Sequence, residues 1–462
     1  MFADRSPGAT PFANRVVHRD IVSPFCLPTC DDLEFVVENN RIVAVEGGCD
    51  FCRERFLAAN DDERAIATLE GKPAALEKAL DVAASVLADA HALLIVGLER
   101  LTCEAQSLAI SLGDRLGATI DTWASLAATC RGLPLQRYGE TSCTLGDLRD
   151  RADLVLFWGR RDYAVPANFF KRFLQSNRDA RAGLRSANRP YVVLVEEQTA
   201  DPTANCFTGH VPVSTFADEV LRPAAGSAGD SICVVRALLH GVDFNGGAVE
   251  QATGVSLSRW QKLVERLKQS RYGVLCTAYD DFLMHDDRDA IAAMHQLAVE
   301  LNACARFASL NLSQSGNSVG AEQVLAWRTG FSSSVNLAAE YPRFGPREFT
   351  MDKLLARGEA DAILTFDTML WTALSDEEFR AVTGIPVVVV NSLVDGGVSD
   401  SVREHSSQLI ELNVAAPGVQ TAGTWFRCDG VPLPLRAIIQ STLPSAEQIL
   451  RDLTGRLCNR ND

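Results

Sequence analysis

Six apolar runs of strand length, interleaved with helical patterns, restrict this chain more than any other feature. They are ALLIVG (92–97), DLVLFWG (153–159), YVVLVEE (191–197), YGVLCTA (272–278), DAILTFD (361–367) and PVVVVNS (386–392). A strand with one wet face alternates apolar and polar residues. These runs do not alternate, so they belong to strands covered on both faces, which means parallel sheets under helices. Helical patterns at 73–90, 104–116, 165–176, 258–269, 286–303 and 351–357 supply the covers. The expected fold class is α/β.

A chain of 462 residues exceeds one simple core, so two or three lobes are expected. Softer boundaries fall near 178–189, at PAAGSAG (223–229) and near 305–320. The net charge of −15 leaves no basic excess to neutralise phosphates, which excludes nucleic acid and anionic membrane as partners. No apolar stretch reaches the roughly 20 residues of a membrane span. The opening MFADRSPGATPF lacks the basic-then-apolar plan of a signal peptide, so a cytoplasmic location is expected.

Four of the 13 cysteines crowd one segment: Cys26, Cys30, Cys49 and Cys52, spaced C-x3-C-x18-C-x2-C. Between the pairs, LEFVVENN (33–40) alternates and RIVAVEGG (41–48) answers it. Asn39-Asn40 stand where a tight turn needs residues tolerant of positive φ. A small N-terminal β-hairpin lobe is expected, bringing the cysteine pairs together. By spacing alone the set suits zinc or an iron–sulfur cluster, or else inert thiols on a small lobe. The remaining cysteines read as buried thiols. The seven histidines are dispersed without HExxH spacing, and His285 beside Asp286 and Asp287 reads as a solvated loop. Walker A and GxGxxG motifs are missing from the sequence.

SPFCLPTCDDLEFVVENNRIVAVEGGC (23–49) resembles the N-terminal segment of the formylmethanofuran dehydrogenase B subunit, a relative of the molybdopterin-dependent formate dehydrogenases. In that family the pattern C-P-x-C-x3-C-D-D, a hairpin and a fourth cysteine hold a [4Fe–4S] cluster. Cys26, Cys30, Asp31, Asp32 and Cys49 match it. The first ligand position is Ser23, which is no ordinary thiolate, and Cys52 is the available substitute. ATIDTWASLA (118–127), TSCTLGDLRDRADLVLFWG (141–159), YPRFGPREFT and LLARGEADAIL (within 341–364) and GTWFRCDGVPLPLR (423–436) resemble later blocks in the same order. The resemblance spans about residues 20–455.

The resemblance implies where a tungsten or molybdenum ligand would stand: a cysteine after I-D-x-x-A-S, followed by a histidine. Here those positions are Ala127 and Ala128, which can neither ligate metal nor move a proton. A three-residue shift would instead bring Cys130 and Arg131 there. Where the family holds the pterin nucleotide, this chain reads VEEQTADPTAN (195–205), and Glu196 and Glu197 would repel a phosphate or else be surface acids. No molybdopterin or tungstopterin is therefore expected. A [4Fe–4S] cluster or zinc is expected only at Cys26, Cys30, Cys49 and Cys52.

The implied architecture has formate dehydrogenase/DMSO reductase-like lobes. A cysteine lobe at 1–60 precedes a discontinuous α/β lobe at 61–136 and 305–462, with an α/β lobe inserted at 137–304. NLSQSGNSVGAEQVLAW (311–327) resembles the family's re-entry segment along the cofactor cleft. The implied function is that of a non-redox B subunit in a formyltransferase/hydrolase complex. That complex passes a formyl group between tetrahydromethanopterin and a methanofuran-like carrier and releases formate. Its other subunits are the expected partners. Two alternatives stand beside it: an active tungsten or molybdenum dehydrogenase component using Cys130 and Cys52, and a structural zinc-binding interaction protein.

Overall fold

The computed structural model describes residues 15–25, 30–61, 64–122, 132, 134–159, 164–175, 189–198, 210–278, 288–312, 316–366, 380, 382–392 and 400–460. Two largely parallel sheets organise it. In the five-stranded sheet the order is Glu219–Leu221, Tyr191–Glu196, Leu154–Gly159, Tyr272–Thr277, Arg306–Asn311, and every pairing is parallel. Numbered along the chain, that order is 3-2-1-4-5, a doubly wound arrangement with helices on both faces.

The nine-stranded sheet has a parallel centre of Thr119–Ile120, Leu93–Val96, Ala362–Thr365, Pro386–Ser392 and Gln408–Val414. Its chain order is 2-1-3-4-5, and short antiparallel strands finish both edges. Among the described residues no helix is long and apolar enough to cross a membrane.

The apolar runs form these strands because both faces are buried. Leu154–Gly159 buries all six residues. Under it, the Trp158 and Trp260 rings stack with centroids 6.2 Å apart. Gly273 is dictated by packing: a Cβ there would lie 2.1 Å from the Phe307 ring.

Arg306–Asn311 corrects one expectation. It is the outer strand of the five-stranded sheet, so the return placed at residue 305 falls one strand early. Its sequence RFASLN carries Arg, Ser and Asn, yet its middle four residues are buried. The helix expected over 165–176 is shorter than its pattern, running as Ala167–Phe169 into a π-helical turn, Phe170–Leu174. Phe169 and Phe170 there pack against Phe157 and Phe216, at 6.2 and 4.7 Å between ring centroids.

A third unit precedes both sheets. Strands β1 (Arg15–Ile21), β2 (Leu33–Glu38) and β3 (Arg41–Glu46) pair antiparallel, and helix α1 (Asp50–Ala58) follows. Asn39 and Asn40 link β2 to β3 with φ of 51° and 61°, the left-handed region that asparagine tolerates. Leu33, Phe35 and Phe56 fill the small core, and Val419, Ile438 and Ile439 close it from far along the chain. Asn40 and Gln440 seal that contact: Asn40 Nδ2 donates to the Gln440 carbonyl at 3.1 Å, and Gln440 N–H returns a bond to Asn40 Oδ1 at 2.7 Å.

Candidate metal centre

Helix α1 places two of the clustered thiols. Cys49 is its N-cap and Cys52 lies three residues on, so both side chains share one helical face. Their Sγ atoms are 3.5 Å apart. Cys30, just before β2, supplies a third, and the three sulfurs all lie within 4.8 Å of one another. All three are buried, Cys30 and Cys52 completely. This buried cluster could bind a metal ion.

Ser23 stands against the cluster and is itself fully buried. Its Oγ is 3.1 Å from Cys52 Sγ and accepts the Phe25 N–H at 3.2 Å. The Ser23 N–H donates to the Cys30 carbonyl at 2.9 Å, which ties the two segments into one loop. The position expected as a lost ligand therefore touches the extra cysteine. Cys26, the remaining member of the expected set, lies outside the described residues, as do Ala127, Ala128, Cys130, Arg131 and His285.

Charged groups that the sequence did not single out tie the cluster to the rest of the molecule. Asn168, from the five-stranded lobe, donates to Cys30 Sγ at 3.5 Å and to the Gly47 carbonyl at 2.8 Å. Arg172 in the π-helical turn pairs with Asp31 and, at 3.0 Å, with Asp32. Arg427 reaches Asp31 at 2.9 Å and grips Asp429 through two bonds of 2.7 Å. Asp429 in turn accepts the Leu145 N–H at 2.6 Å, at the start of helix Leu145–Arg151.

Partial burial, reinforced by the charge of Asp31, holds the Asp32 carboxyl above its usual range against the pull of Arg172. Burial acts to lower Arg427, but its bonds to Asp429 outweigh this and leave its guanidinium more firmly protonated. The acids following Cys30 were visible in the sequence. Their cations come from positions 172 and 427, which only the tertiary fold brings near.

Glu196 and Glu197 are not surface acids: both are buried. Glu196 accepts from Arg222 at 3.0 Å. Glu197 accepts the Ala228 N–H at 2.7 Å, at the N-terminus of helix Ala228–Leu239. A helix N-terminus is where a phosphate would gain most from backbone dipoles, and here a carboxylate of the chain itself occupies it.

The scattered cysteines are mixed. Cys103, Cys143 and Cys276 are buried as expected, whereas Cys233 and Cys304 are exposed. Cys233 is exposed because it lies on the outward face of an amphipathic helix whose Ile232, Val234 and Val235 are buried. Residues 317–321 of the expected re-entry segment are buried. Asn317 is fully buried, donating to the Leu101 carbonyl at 2.9 Å and accepting the Phe426 N–H at 2.8 Å. Gly316, at φ 61°, lets the chain pass so close to the Glu99 carbonyl that a Cβ would sit 2.4 Å from it.

The chain is 29% identical over 445 residues to the B subunit of tungsten-containing formylmethanofuran dehydrogenase 2 from Methanocaldococcus jannaschii, covering 93% of this chain and 96% of that protein. It is a homologue of the formylmethanofuran dehydrogenase B subunit. The protein of the same name from Methanococcus maripaludis is 26% identical, covering 92% of this chain and 94% of the relative.

Among solved structures, the fold matches a chain of the formyltransferase/hydrolase complex from Methylorubrum extorquens in complex with methylofuran. That match has a TM-score of 0.66 at 21% identity and covers 86% of this chain and 99% of that one. Acetylene hydratase from Pelobacter acetylenicus matches with a TM-score of 0.65 at 11% identity, over 96% of this chain and 70% of its own. These two likenesses establish a shared α/β fold. No family model matches the chain.

Proposed function

We propose that this chain is the cytoplasmic, non-redox B subunit of a formyltransferase/hydrolase complex in one-carbon metabolism. Its lobes (residues 1–60, an inserted lobe beginning at 137, and a discontinuous lobe on either side of the insert) hold the catalytic subunits. Those partners move a formyl group between tetrahydromethanopterin and a methanofuran-like carrier and release formate. The observation that carries this reading is end-to-end homology to the dehydrogenase B subunit combined with substitution of the residues that redox chemistry needs.

Alanines at 127 and 128 offer neither a metal donor nor a proton carrier, and Ser23 replaces the first cluster cysteine. Glu197 fills a helix N-terminus with the chain's own negative charge, where a pterin phosphate would meet repulsion. No step of redox chemistry is assigned to this chain.

The test is isolation of the native assembly through a tag on this chain. The expected result is co-purification with formyltransferase-like and amidohydrolase-like subunits. The preparation should release formate from a formylated carrier without reducing a dye, and should contain no tungsten or molybdenum. Stoichiometric tungsten with dye reduction would overturn the proposal. It would favour the second reading, an active dehydrogenase component with Cys130 as metal ligand, which the tungsten-containing relatives support.

A further inference from the structure

We infer that the cysteine lobe holds a single zinc ion through Cys30, Cys49 and Cys52, its fourth tetrahedral position left to a further donor and the Ser23 hydroxyl seated on the Cys52 sulfur, in place of an iron–sulfur cluster. The spacing of the donors decides this. Thiolates sharing one zinc ion stand at the edges of a tetrahedron, about 3.8 Å apart for bonds of about 2.3 Å. Cys49 and Cys52 are 3.5 Å apart, and no sulfur of the trio is more than 4.8 Å from another. A cubane assigns each thiolate to a different iron at a different corner, so its ligands must stand well beyond the spacing of donors around one ion. The three thiols are too close together to take the corners of a cluster.

Ser23 explains how the first cluster cysteine was replaced without leaving a hole. Its Oγ accepts from Phe25 N–H and lies 3.1 Å from Cys52 Sγ, close enough for the hydroxyl to donate once that sulfur is a metal-bound thiolate. A hydroxyl that donates to a metal-bound thiolate fixes the ligand's orientation and spreads its charge. Asn168 does the same for Cys30, with its Nδ2 at 3.5 Å from that sulfur. Two of the three sulfurs therefore have a donor aimed at them from outside the coordination sphere. Binding releases a proton from each thiol to solvent, and the ion undergoes no change of oxidation state.

All three donors are buried, which keeps the bound ion away from bulk solvent. Thiol geometry alone places it and no partner is required, so metal content and co-purification can fail separately.

The test uses the full-length chain, produced in medium containing both zinc and iron and assayed for metal and acid-labile sulfide. One zinc per chain without sulfide is expected. Iron and sulfide in equal, cluster-forming amounts would overturn the inference. Exchange of zinc for cobalt(II) then reports the ligands directly. The wild-type chain should show the intense visible bands of a tetrahedral site and thiolate-to-cobalt charge transfer.

Cys52→Ala should lose charge-transfer intensity and weaken metal affinity by more than about a hundredfold, beyond what a supporting residue accounts for. An unchanged cobalt spectrum in that variant removes Cys52 from the site and sinks the proposal. Ser23→Ala keeps the metal, with affinity lowered roughly 10–100-fold and a shifted charge-transfer band, and Ser23→Thr restores both. If Ser23→Ala leaves the band where it was, the hydroxyl plays no part.

Discussion

Strand Leu154–Gly159 buries all six of its residues, whereas β2 buries only Leu33, Phe35 and Val37 and leaves the alternate positions half-exposed. Apolar burial of this kind runs through the five-stranded lobe. Each large apolar side chain it buries contributes about 1.5–3 kcal/mol, and parallel strands between two helix layers supply many of them. The cysteine lobe has a core too small to stand by that means, and three of its core members are thiols. It is secured by position-specific links: the thiol cluster, the Asp31–Arg427–Asp429 relay and the Asn40–Gln440 pair. One region is stabilised by area and the other by particular atoms.

Metal removal should separate the two most sharply. Treating the full chain with a chelator should reduce the hydrogen-exchange protection of β2 and β3 amides by about a hundredfold or more, while amides of Val192–Val195 keep theirs. Equal loss in both places would erase the distinction. Next is Arg427→Met, which leaves the fully buried Asp429 carboxylate without its bidentate partner. Removing one member of a buried pair costs about 3–5 kcal/mol, read as a lower urea midpoint. A loss of less than about 1 kcal/mol would show that the relay is ornamental.

Gly273→Ala probes the other side of the comparison. Its new Cβ would sit against the Phe307 ring, and overpacking of this kind costs about 1–3 kcal/mol. The cost should appear in the five-stranded lobe while the cobalt spectrum stays as in the parent.

The smallest effect is expected for Glu104→Gln. Partial burial pushes the Glu104 carboxyl up, but the Thr424 N–H and hydroxyl bonds, at 2.9 and 2.7 Å, outweigh this and leave it below the usual range. A carboxyl depressed in the folded state stabilises above its unfolded pKa and loses that contribution as the pH falls through its folded one. The variant should therefore be weaker at neutral pH by under about 1 kcal/mol, and the gap should close in acid. A gap that widens on acidification contradicts this sign.

What the sequence revealed follows the same division. Strands buried on both faces announce themselves as unbroken apolar runs, so Leu154–Gly159, Tyr191–Glu196 and Pro386–Ser392 were legible to within a residue or two. Arg306–Asn311 was not, because an outer strand can carry Arg, Ser and Asn without loss. The cysteine spacing marked a small lobe, and the fold brings Cys30, Cys49 and Cys52 close enough that they could bind a metal. The contact between Ser23 and Cys52 could not be read, since it depends on α1 beginning at Cys49 and turning residue 52 inward. Arg172 and Arg427 are ordinary surface arginines in sequence terms, and only the folded chain shows them converging on Asp31. The positions implied for the redox metal rested on the family resemblance alone, and they lie outside the described residues.

The contact between Asn40 and Gln440 has a consequence for the order in which the molecule is made. Its partners are separated by 400 positions, and Val419, Ile438 and Ile439 close the same core. A ribosome synthesises the wall that covers β1, β2 and α1 long after those elements themselves. Contacts of such long sequence separation form late, because the intervening loop must first be closed. The core of the first lobe therefore stays open on that side until those residues are made. A product truncated before Val419 would lack that wall and leave the core of its first lobe uncovered.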